Sequence, residues 1–354
     1  MKKVSRSWII ILGSILILVG ITLLFTVSIP CARDIHYQIH RITRPYAFSY
    51  VSWELQTLSS LPDVLLSVDA EVKPSVRLSD EMGTVLKDNG IGTFPPVLVE
   101  LGKPPSLLVI SPRGRITYAD RFLLSQHLDV KEMERIEAKV DSLGVSSLVV
   151  ELGGFGAVCP PIVSDNLSLT NTLNIAVEEW FHQYLAFRPL GFRYFLDSIG
   201  IQQDPELIVL NETFVGMVSR EISAEIVKRY YNVEEDKAVA NNSQGFNFYD
   251  EMRETRKLVD YYLSQGKIVE AEYYMEKRRM YFIANGYYIR KLNQAYFAFH
   301  GIYGDSPASV SPIYDDLQQL RAGSLTLNYF VSRVEKMTSY AELLRALEEQ
   351  PQAS

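Results

Sequence analysis

Two cysteines, Cys31 and Cys159, are the only thiols in 354 residues. They cannot build a disulfide framework or a thiolate zinc site. Histidine is almost as scarce, with five in the chain, so each one matters in a search for chemistry. Long basic runs are missing and the net charge is −7, so nucleic acid is not an expected partner. No Gly-Lys-Ser/Thr closes the glycine-rich stretch Gly153, Gly154, Gly156, which ends at Cys159-Pro160-Pro161, so it is not a phosphate loop. It reads instead as a place where one backbone approaches another, or a ligand, closely. No G-x-S-x-G elbow supports serine catalysis, and no repeat of solenoid period is present. Cys159 has no histidine within a few residues and reads as a small buried residue.

Apolar residues make up 47% of the chain and charged residues 22%, a globular profile. The apolar material is unevenly spread. Trp8 to Ile29 contains no charge. At about 1.5 Å per residue such a helix crosses a hydrocarbon core of about 30 Å. Lys2, Lys3 and Arg6 precede it and orient the N-terminus to the cytoplasm, against a softer opposing signal from Arg33, Arg41 and Arg44. The run is longer than a cleaved signal's apolar region, and Pro30 before Cys31 does not suit lipid processing. The expectation is a cytoplasmic tail over 1–7, an uncleaved signal anchor over 8–29, and a single-pass protein of the cell membrane with an extracytoplasmic C-terminal part. Residues 30–93 read as a juxtamembrane helix and linker, with a polar connection over 79–92. His36 and His40 are four apart, a metal-ligand spacing, but sit among tyrosines and read as interfacial polar residues.

Residues 94–349 read as the main domain. Short apolar runs bounded by Pro and Gly predict strands over 94–101, 106–111 and 146–151, with a turn at Pro112-Arg-Gly-Arg115. A helix is predicted over 130–142, stopping before Gly144. From Leu169 onward the pattern is helical: 171–187, 209–231, 246–263, 268–303 and 325–349, with an αα-hairpin at Ser264-Gln-Gly-Lys267. A β-rich part followed by helices is an α+β class of fold.

The segment richest in chemistry is Glu178-Glu179-Trp180-Phe181-His182. On a helix Glu178 and His182 are i and i+4, one turn apart on one face, with Glu179 beside them. That is the geometry of H-E-x-x-H with glutamate in place of the first histidine. In that motif the i and i+4 side chains bind zinc and the intervening glutamate activates water. Asn211-Glu212 opens another helical run about thirty residues beyond His182. Glu179 to His182 is also an E-x-x-H string of the di-iron type, but no second such string exists in the chain.

Together these strings resemble the gluzincins, zinc peptidases in which a second helix supplies an Asn-Glu pair. The segment from Ile289 to Tyr303, with Leu292-Asn293-Gln294-Ala295 inside it, is similar to a region of bacterial membrane-associated predicted aminopeptidases. So is the arrangement of Arg253, Arg256, Glu272 and Lys277 on two long helices. The resemblance covers roughly residues 95–345. It implies a zincin-like fold with Glu178, His182 and Glu212 as metal ligands and Glu179 as general base. Asn211 would orient its neighbour. Tyr296, His300 or Tyr303 would donate to an oxyanion, and these three compete for the role. The implied activity is hydrolysis of a peptide or protein substrate by a metal-activated water. The implied ion is zinc, although two carboxylates and one imidazole shift preference towards manganese or iron. A less positive centre also acidifies its water less. Three outcomes follow: a peptidase with altered metal use, a metal site without peptidase activity, or a catalytically degenerate zincin-like envelope protein that binds a peptide or protein partner.

Overall fold

The computed structural model describes residues 35–49, 52–53, 74–198, 201–202, 204–231 and 246–349. The apolar run over 8–29 lies outside these residues. Among the described residues no helix is long and apolar enough to cross a membrane.

Strands β1 (Glu100–Gly102), β2 (Ser106–Pro112), β3 (Asp120–Leu124), β4 (Val145–Glu151), β5 (Gly154–Phe155) and β6 (Ile162–Ser164) form two three-stranded sheets. In the first, β2 lies between β3 and β4, antiparallel to both, so that Val109 faces Arg121 on one side and Leu148 on the other. In the second, β6 runs parallel to β1 and antiparallel to β5. The continuous apolar run of β2 has a simple cause: both faces of its sheet are covered. Helices α1 (Ile35–Thr43) and α3 (Val130–Asp141) bury Leu108, Ile110 and Leu124 on one face. The other face, with Leu107, Val109 and Leu148, packs against Ala295. Asp129 starts α3 through a capping box with Glu132, as the expected helix start requires.

The helical part holds α2 (Pro74–Asp88), α4 (Leu169–Leu185), α5 (Pro189–Ser198), α6 (Pro205–Ile226), α7 (Phe248–Ser264), α8 (Ile268–Ala284), α9 (Gln294–His300), α10 (Ile313–Ala322), α11 (Leu327–Val334) and α12 (Tyr340–Glu348). The largest core runs between α4 and α6, where Trp180, Phe181, Leu210 and Phe214 are wholly buried. Trp180 turns inward, while Glu178 and His182, one turn apart, flank Phe181 on the side of α4 that meets α6. The molecule is a mixed α+β structure.

Four readings change. The polar connection over 79–92 is largely the end of α2, because Leu78, Met82, Val85 and Leu86 share one helix face and enter the main core. The run over 268–303 is two helices, since Asn285 and Gly286 (φ 89°) terminate α8 and Asn293 caps α9. The run over 325–349 is likewise α11 and α12. The strand expected over 94–101 shrinks to β1, displaced toward Gly102, because Pro95 and Pro96 offer no ladder donors. The hairpin of α7 and α8 turns where expected, with Gly266 at φ 70°.

Candidate metal centre

Helix α4 starts at Ser168, whose hydroxyl accepts from the Asn171 amide. Helix α6 starts at Asp204, which accepts from Leu207 N–H, with Pro205 in the first helical position. Packing of the two helices through their aromatic faces brings Glu178 and His182 of one beside Glu212 of the other. Each residue offers one ligand atom, and these atoms lie within 4.8 Å of one another. His182 Nε2 is 3.6 Å from Glu212 Oε2. In a tetrahedral site with ligand distances near 2.1 Å, neighbouring ligand atoms are about 3.4 Å apart. One edge therefore already has about the required length, and the others need closure of at most about 1.4 Å, within the reach of a glutamate rotamer. The Glu-His-Glu group can hold a divalent ion.

Glu179 occupies a cradle that only glycine permits. A Cβ on Gly154 would stand 2.5 Å from both Cγ and Oε1 of Glu179, and one on Gly156 would stand 2.7 Å from Oε2. The Gly156 amide donates to the carboxylate. Gln183, one turn on, donates to the carbonyls of Gly156 (2.9 Å) and Val158 (2.6 Å), fixing the glycine stretch against α4. The close approach inferred from Gly153–Gly156 is thus between a strand backbone and the side chain beside the candidate ligands.

Electrostatics mark the pocket as one built for positive charge. Burial raises Glu178 to about 7, with Glu212 adding to the rise and His182 opposing it. Burial raises Glu179 to about 8, and the neighbouring carboxylates of Glu178 and Glu212 add to this. Burial works to lower His182, but Glu212, Glu179 and Glu178 outweigh it and push the imidazole to about 9. Burial likewise opposes the ionised form of Glu212, and His182, Tyr194 and Arg121 overcome it, holding this carboxyl below its ordinary value. Three acids around one imidazolium is the arrangement a dication would relieve.

The loop carrying Tyr303 is pinned to α6. Gly304 N–H donates to Thr213 Oγ1 at 2.8 Å, next to Glu212, and Arg220 pairs with Asp305 at 2.8 Å. Tyr303 accordingly lies in the field of Glu212, Glu178 and Glu179, which with burial hold its hydroxyl protonated. Tyr296 and His300 touch with their rings tilted by 46° and centroids 4.3 Å apart. Burial alone raises Tyr296 to about 12 and lowers His300 to about 4. Of the three competing donors, Tyr303 is the one coupled to the carboxylates. Asn211 is wholly buried, yet neither polar atom of its side chain has a hydrogen-bond partner, so it does not orient Glu212 by a hydrogen bond. His36 bonds Asp120 at 2.5 Å and His40 is exposed, so these two do not form a second metal pair.

Sequence reasoning missed Tyr194. Its hydroxyl donates to Glu212 Oε1 at 2.6 Å, and its ring lies 5.9 Å from that of His182 at 23°. Nothing in the spacing of α5 signals this, because the contact depends on how α5 folds back against α6. Comparison of the chain with family models, curated proteins and solved structures returns no match.

Proposed function

We propose that this chain is a metal-dependent hydrolase of peptide bonds, gluzincin-like in its site, and anchored through residues 8–29 to act outside the cytoplasm. The observation that carries the proposal is the convergence of Glu178, His182 and Glu212 from two helices, with Glu179 held in a glycine cradle beside them. Zinc is the ion favoured by the motif, with manganese or iron as the alternatives that two carboxylates invite. Bound there, a dication supplies Lewis acidity that makes water a nucleophile near neutral pH.

The side chains divide the remaining work. Glu179 accepts a proton from the attacking water and passes it to the leaving amine. Its carboxylate must be ionised to accept that proton, and a dication beside it would favour the ionised form. Tyr303, protonated and facing the acidic cluster, donates to the carbonyl oxygen as negative charge builds on it. The pinned loop of Gly304 and Asp305 keeps that hydroxyl in place.

A second reading is a degenerate zincin-like envelope protein that binds a peptide or protein partner without cutting it. What favours it is Glu178, since a carboxylate there makes the loaded centre about neutral and a weaker activator of water. Metal analysis of the purified full chain, with His182→Ala and Glu212→Ala beside it, comes first. The proposal expects about one ion in the parent and strong loss in both variants. Equal content in all three ends it. If the ion is bound, peptide hydrolysis divides the two readings: Glu179→Gln removes hydrolysis and keeps the ion under the first, while the second expects no hydrolysis by the parent.

A further inference from the structure

Tyr194 touches two candidate ligands that come from different helices. It donates to Glu212 on α6 at 2.6 Å and stacks on His182 of α4. The bond takes Oε1 of Glu212, leaving Oε2 turned towards His182 Nε2. Tyr194 itself stands on α5, which contributes no ligand. Its hydroxyl hydrogen is committed to Glu212, so its oxygen can only accept from elsewhere. Arg121 stands nearby: its charge acts on Tyr194 and on Glu212, and its guanidinium lies 5.9 Å from the Tyr118 ring centre. Arg121 belongs to β3, an outer strand of its sheet, opposite Val109. Alternation along β3 sends Phe122 and Leu124 to the face covered by α1 and α3, and Arg121 to the other face.

We infer that Tyr194 is a positioning residue that sets the place of both Glu212 and His182. This rests on the metal-centre part of the function proposed above. Tyrosine donates here and carboxylate only accepts, so the direction of the bond is fixed. The bond ties α5 to a ligand on α6 and selects which carboxylate oxygen faces the ion.

The test is cobalt(II) affinity of the full chain, measured by competition with a chromophoric chelator and read together with the visible spectrum of the bound ion. Tyr194→Phe keeps the ring over His182 and removes only the hydroxyl. Loss of such an outer partner weakens metal affinity by about 10- to 100-fold. Tyr194→Leu removes the ring over His182 as well, and is expected to weaken binding further and to change the cobalt spectrum in the same direction. Should one variant fail to fold by circular dichroism, the other gives the reading. The inference is overturned if a folded Tyr194→Phe or Tyr194→Leu binds as the parent does. No cobalt binding by the parent overturns the metal centre itself, an outcome distinct from an intact centre indifferent to Tyr194.

Discussion

Gly154→Ala adds one methyl group at the wall of the candidate site, and its consequence can be worked from contacts. The backbone of Gly154 is outside the left-handed region, so sterics alone decide. The new Cβ would meet Glu179 Cγ, Glu179 Oε1 and Ile175 Cγ2, each at 2.5 Å. Ordinary carbon contacts are about 3.5–4.0 Å, so roughly 1 Å must be opened in three directions. Overpacking of this kind costs about 1–3 kcal/mol. Both stand on α4, but Ile175 is β-branched and stiff at χ1 whereas the glutamate chain has further rotatable bonds, so Glu179 yields first, leaving the position from which it accepts the Gly156 amide. A displacement near 1 Å at a reacting group costs about 100-fold in rate. Denaturant midpoints, metal content and peptide hydrolysis would be measured on the parent and the variant. The expected result is reduced stability, near-total loss of hydrolysis and retained metal. In a Glu179→Ala background two of the three contacts vanish, so the stability cost of Gly154→Ala should fall by at least about 0.5 kcal/mol. An unchanged cost in that background, or no cost in the parent, would refute the cradle.

Thr213→Val should remove the acceptor of the buried Gly304 amide and cost about 1–3 kcal/mol, freeing the loop of Tyr303 to local hydrogen exchange. Protection of Gly304 equal to the parent's would contradict it. Glu137→Gln should be costlier, about 3–5 kcal/mol by denaturation, because Glu137 is buried, accepts from Val149 N–H and pairs with Arg290 at 2.5 Å. A cost under about 1 kcal/mol would mean that Glu137 does not hold α3 to β4 and to the segment before α9. The metal-free protein should lose stability as pH rises. Glu178, Glu179 and His182, at about 7, 8 and 9, all stand above their unfolded values, so the native state binds more protons. The loss begins near 4.5, the ordinary glutamate value, and runs through about 9. Glu212, held low, acts in the opposite sense only near and below that lower limit. Melting of chelator-treated protein across this range checks the sign, and a flat or rising profile would contradict it. Added metal should stabilise most at the alkaline end, where fewer protons must leave the ligands.

The ligand helices were legible because their signals are local. Glu178 and His182 follow helical spacing, and Ser168 and Asp204 are residue types that cap helices. The same holds for α3 with its capping box and for the α7–α8 hairpin with Gly266. Helix α2 was hidden by its polar residues, although Leu78, Met82 and Val85 already carried its core-facing stripe. The breaks at Asn285 and before Ser339 were masked by long helix-favouring runs in which single cap residues were outweighed. The bracing of Glu212 was not legible at all. Tyr194 and Glu212 come from two different helices, and only the folded chain makes them neighbours. Asn211 shows the opposite failure: its place in the motif suggested a hydrogen-bonding role that its buried, unpartnered amide does not fulfil.

Anomalous diffraction from crystals of the full chain grown with a transition-metal ion addresses the central claim most directly. The account predicts one strong peak bounded by Glu178, His182 and Glu212, about 2.0–2.2 Å from each ligand atom. A peak elsewhere, or none at this position, would contradict it.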